Sequence, residues 1–176
     1  IRICIFLLIL NILSTLPGLT LDAQVEGLLT LARMYLSHGL WSEALGFLNY
    51  AQISLPELGQ NPEFIALKGA ALTLGIKSED AFQMLSSANL TDIDEVGYWR
   101  AYALSDLGDW QQAADVIPKS VEIIRTYPAQ LGTRIGLGNA EVALRAGDVK
   151  KAERLLDIVE EHEDEFFEEQ KATYDY

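Results

Sequence analysis

Four times along this chain a glycine is followed five or six residues later by an alanine that opens a helical apolar pattern: Gly39/Ala44, Gly75/Ala81, Gly108/Ala113 and Gly147/Ala152. Successive alanines stand 37, 32 and 39 residues apart, within the range of helical-hairpin repeats, where one hairpin cannot bury its own apolar face and has to stack on the next. The recurrence predicts an all-α chain, an α-solenoid of about four stacked hairpins with the start of another behind them. The usual work of such arrays is to hold other molecules.

The first unit shows how the pattern is built. Leu28, Leu31, Ala32, Tyr35 and Leu36 recur at three and four residues and share one helical stripe. Gly39 ends that helix, because glycine enters the left-handed conformation without a Cβ clash. Ser42 is placed to cap the next helix, which carries Ala44, Leu45, Leu48 and Ala51 inward until Pro56 removes an amide donor. In the last unit Gly132, Gly136 and Ala140 stand four apart on one helix face and are expected to let a neighbouring backbone come close.

Leu28-x2-Leu31-Ala32-x2-Tyr35, then Ala44-x3-Leu48, then Pro56 keep the spacings of Trp-x2-Leu-Gly-x2-Tyr, Ala-x3-Phe and Pro, with leucines in place of Trp and Phe. On these residues the chain resembles the tetratricopeptide repeat (TPR) family. Later units are degenerate: Ile65-x2-Lys68-Gly69-x2-Leu72 with Ala81-x3-Leu85, Gly97-x2-Arg100-Ala101-x2-Leu104 with Ala113-x3-Ile117, and Gly136-x2-Asn139-Ala140-x2-Ala143 with Ala152-x3-Leu156. The resemblance covers about Leu28 to Val159. It implies that the first helix of each hairpin lines a concave groove in which a partner peptide or helix lies. In that register Arg33, Ala70, Tyr102 and Glu141 form a row, flanked by Thr30, Trp99, Ser105, Arg134 and Arg145. Arg33, Trp99 and Tyr102 are the expected anchors, since Arg and aromatic side chains dominate interface hot spots; packing between hairpins is the alternative for Trp99. The Lys/Asn set with which some members clamp a terminal carboxylate is absent from these positions.

Residues 1–21 read separately from residues 22–159. Ile3 to Leu13 form an uncharged apolar run behind Arg2, followed by Pro17-Gly18. That is the layout of a secretory signal peptide; eleven residues are short for a span, which needs about 20, so an uncleaved anchor is the second reading and a buried first helix the third. Cys4, the one cysteine, lies inside this segment, and a mature exported chain would carry no disulfide. Residues 160–176 read as an acidic helix opening a further repeat. From Asp157 to Tyr176 the net charge is −8, out of −13 for the whole chain. Such a balance excludes electrostatic capture of nucleic acid, which relies on Lys and Arg.

Chemistry is thinly represented. His38 and His162 have no second His or Cys at ligand spacing, and His162 among Glu160, Glu161, Glu163 and Asp164 reads as a solvated face. Gly132-x3-Gly136-x-Gly138 lacks the Lys-Ser/Thr ending of a phosphate loop. The sequence therefore predicts no enzyme, cofactor or metal. It points to an exported interaction scaffold, in the periplasm or cell envelope, binding a protein or peptide partner. The alternatives are a helical regulatory or substrate-presenting segment of a larger enzyme, a secretion-system component, and self-association through the acidic tail and hydrophobic ends.

Overall fold

The structure, a computed structural model, describes Ser14, residues 18–91 and residues 93–174, with side chains through His162. Among the described residues it is all-α, with no strand. The helices are α1 Leu21–Ser37, α2 Trp41–Ser54, α3 Pro62–Leu74, α4 Ser78–Leu85 and α5 Asp94–Asp106. They continue with α6 Trp110–Val116, α7 Glu122–Arg125, α8 Ala129–Arg145 and α9 Val149–Tyr174. Short 3-10 turns occupy Pro56–Gln60 and Ala88–Leu90.

Neighbours in sequence pair in space: α1 with α2, α3 with α4, α5 with α6, and α8 with α9. Each pair meets the next through α2 and α3, α4 and α5, and α6 and α8, while the first helices touch in the series α1, α3, α5, α8. Ala44, Ala81, Ala113 and Ala152, the recurrent alanines, are all fully buried; a larger side chain there would hold two helices apart. Around them Leu31, Leu48, Leu85 and Leu155 are fully buried too, each contributing about 1.5–3 kcal/mol relative to exposure. Glycine brings the pairs closer still. A Cβ on Gly69 would lie 2.5 Å from Leu85, and one on Gly97 would lie 2.8 Å from the Val116 carbonyl oxygen.

Three of the four turns use the expected glycine. Gly39, Gly108 and Gly147 have φ of 72°, 79° and 80°. In the second pair the left-handed residue is Ile76, with φ 57°, whereas Gly75 takes an ordinary φ of −83°. Gly75 is needed for a different reason, the close approach of Trp41. Nor does Ser42 cap α2, which starts at Trp41 behind Leu40 and has no side-chain cap. Caps appear where Asn61 accepts from the Phe64 amide at 3.0 Å and Asp109 from the Gln112 amide at 3.2 Å.

The expected break near residue 160 does not occur. α9 runs 26 residues without interruption, because no glycine or proline lies between Val149 and Tyr174; the acidic stretch to residue 174 belongs to the second helix of the fourth pair. Residues 1–13 and 15–17, on which the signal and anchor readings rest, lie outside the described residues. Among the described residues no helix is long and apolar enough to cross a membrane.

Candidate functional site

The series of first helices α1, α3, α5 and α8 carries all the residues expected from sequence to line a groove. Arg33 lies on α1 and is held at both ends: Nε and Nη2 donate to Glu63 of α3 at 3.0 and 2.5 Å, and Nη1 donates to Glu26 at 3.2 Å. Burial alone would pull its guanidinium down, but these two carboxylates more than offset that and leave it above its ordinary value. The three residues form an exposed, net acidic cluster that ties the first pair to the second.

Trp99 goes inward. At 5% exposure it belongs to the core, as the packing alternative has it, and its Nε1 donates to the Tyr127 hydroxyl at 2.9 Å. Tyr127 in turn donates to Glu95 at 2.5 Å. Burial, then the Glu95 carboxylate, pushes the Tyr127 phenol far above its usual range, so it stays a donor. Trp99 thus anchors α5 to the segment before α8 and offers almost nothing to a partner.

Tyr102 and Arg134 come together. The Tyr102 ring covers Gly138 of α8, and its hydroxyl accepts from Arg134 Nε at 3.5 Å. Arg134 Nη2 donates to the Leu74 carbonyl at 3.0 Å, reaching back 60 residues to the end of α3. Ser105 Oγ donates to the Tyr102 carbonyl one turn earlier. Beside them, Ser78 Oγ donates to Asp106 at 3.2 Å; burial raises the Asp106 carboxyl, while Ser78 and Arg134 counteract it. Glu141 accepts from Arg145 at 3.0 and 2.8 Å, and the Arg145 guanidinium lies 3.9 Å above the Trp110 ring. Ala70 is buried and Thr30 exposed.

Sequence reasoning missed the closeness of the ends. The side-chain amide of Gln130, in the first turn of α8, stands 3.3 Å from where a Cβ on Gly39 would be, so the first turn rests near the fourth pair. No local pattern announces such a contact, which depends on how the pairs curve. His162 was also misread. It is 3% exposed, its Nε2 lies 3.0 Å from the Ile124 carbonyl, and its ring fills the space above Gly132. Gly136 receives Val159 in the same way; the glycine face of α8 accommodates side chains more than a backbone.

The result is a surface of mixed charge in which Tyr102 is the half-buried aromatic residue. Among the described residues no group of three or more His, Cys, Asp or Glu could hold a metal ion. In comparisons with protein-family models, with curated proteins and with solved structures, nothing matches this chain.

Proposed function

We propose that the chain is a non-catalytic scaffold, an exported α-solenoid of TPR type that docks an extended or helical segment of a partner protein along its first helices. The observation that carries this reading is the serial contact of α1, α3, α5 and α8, which presents one continuous face made of four successive units. Arg33, Glu141 and Arg145 form the charged contacts of that face, and Tyr102, Ser105 and Arg134 its floor. Trp99 supports the floor from inside. Gln130 and Arg134 reach across toward Gly39 and Leu74, and the occupant proposed for the face beside them is a single strand or one helix rather than a folded domain.

A photo-crosslinking amino acid placed at the exposed Thr30 tests this, with Glu57 in the 3-10 turn after α2 as the control position. Partners captured from position 30 and lost in the Arg33→Glu variant are the expected result. Capture from position 57 alone, or from neither position, would sink the proposal.

A further inference from the structure

The chain reverses at residues 38–40 and α1 and α2 pack along their length, so the start of α1 and the end of α2 share one end of the first pair. Four large apolar side chains are exposed there: Leu19 and Leu21 at the start of α1, Tyr50 and Ile53 in the last turns of α2. Ile53, at 78%, is the most exposed large apolar residue among the described residues. Tyr50 and Ile53 stand three apart on the outer stripe of α2, while Ala44, Leu48 and Ala51 on its opposite side carry the packing. One exposed leucine needs no explanation; four large apolar side chains gathered at one end mark a contact surface.

The chain itself leads to this end. The apolar run Ile3 to Leu13 joins the fold through Leu19, whose carbonyl accepts from the Gln24 side-chain amide at 3.0 Å, and no charged residue stands between Arg2 and Asp22. A run of this length is too short to span a bilayer, yet it suits a segment lying in the interface. We propose that this end of the first pair rests on a zwitterionic lipid surface, with Leu19, Leu21, Tyr50 and Ile53 entering the headgroup layer beside the run Ile3 to Leu13. Tyr50 is suited to that depth, its ring apolar and its hydroxyl able to meet water.

Charge selects the lipid. Asp22, Glu26 and Glu57 are exposed around the patch. Of the cations nearby, Lys68 is half-buried and donates to Gln52 at 2.7 Å, and Arg33 is taken up by Glu26 and Glu63. An anionic surface would therefore repel this end, whereas zwitterionic headgroups offer their own cations to its carboxylates. Tyr50 and Ile53 belong to a second helix, away from the first-helix face, so a bilayer here and a partner docked there do not compete.

Vesicles of phosphatidylcholine alone, mixed with the full chain, test the proposal. In a Cys4→Ser background an environment-sensitive dye is attached at Ile53→Cys or, as the control, at Leu144→Cys, an exposed leucine at the end of α8. The chain should float with the vesicles, and the dye at position 53 should shift to the blue and lose most of its quenching by iodide, with position 144 unchanged. Tyr50→Glu combined with Ile53→Glu should weaken flotation about tenfold, and replacing part of the phosphatidylcholine by anionic phosphatidylglycerol should weaken it too. A chain that does not float overturns the proposal. So does flotation with position 53 still quenched as in water, the behaviour expected if Ile3 to Leu13 anchors alone. Protection of both positions alike, or binding strengthened by the anionic lipid, overturns it as well.

Discussion

The indole of Trp41 covers Gly75 so closely that a Cβ at position 75 would lie 2.8 Å from its Cε3 atom. Gly75 has a φ that any residue adopts, and replacing such a glycine by alanine ordinarily stabilises by about 0.4–1 kcal/mol. Here the ring sits between two helix pairs and overpacking costs about 1–3 kcal/mol, so Gly75→Ala is expected to be a net loss of about 1–2 kcal/mol. Urea midpoints check it. In a Trp41→Leu background the same change should turn neutral or favourable.

One residue further on the sign reverses. Left-handed backbone costs a residue with a side chain about 1–2 kcal/mol, against roughly 0.5–1 kcal/mol for the extra chain entropy of glycine. Ile76 is too exposed to lose packing on truncation. Ile76→Gly is therefore expected to stabilise the fold by about 0.5–1 kcal/mol, read from denaturant unfolding.

His162 and Gly132 form a second pair in which one side chain depends on the absence of another. Gly132→Ala would drive a methyl group into the imidazole and pull Nε2 from the Ile124 carbonyl. The expected cost is about 2–4 kcal/mol, overpacking together with a broken buried hydrogen bond. Combined with His162→Ala the loss should be clearly less than additive, a cycle measurable by chemical denaturation.

Alkaline pH should expose the role of Tyr98. Its hydroxyl donates to the Ser120 carbonyl, and burial, opposed in part by Arg154 and aided to a lesser extent by Asp94 and Glu122, pushes the phenol from 10.0 up to about 12. The unfolded chain releases this proton first. Stability is thus complete below pH 10 and is lost progressively between pH 10 and about 12. Tyr98→Phe should cost about 1 kcal/mol at neutral pH through the lost bond and flatten Tyr98's share of the alkaline fall; denaturation midpoints from pH 8 to 12 decide it.

Legibility followed the range of the interaction. The four alanines and three of the four turn glycines were readable because each obeys a rule confined to one hairpin. Gly75 misled because a glycine just after a helix has two uses, the left-handed turn and the close approach of Trp41, and only packing tells them apart. For the candidate docking face, helix membership was legible and side-chain fate was not. Trp99 and Arg33 look equivalent as large groove residues, yet one is drawn inward by Tyr127 and the other outward by Glu63, partners 28 and 30 residues away. His162 was hidden by its acidic neighbours in sequence, which say nothing about Ile124 and Gly132 across the helix pair.

Arg134 grasping the end of α3 and Gln130 near the first turn have a consequence for how such a molecule can change its length. Where every unit touches only its neighbours, units can be added or removed and stability scales with their number. Here the last pair skips over α5 and α6 to reach earlier ones. Excising residues 91–121, or duplicating them, would misalign both of these distant grips together, so this architecture cannot be lengthened or shortened in modular steps.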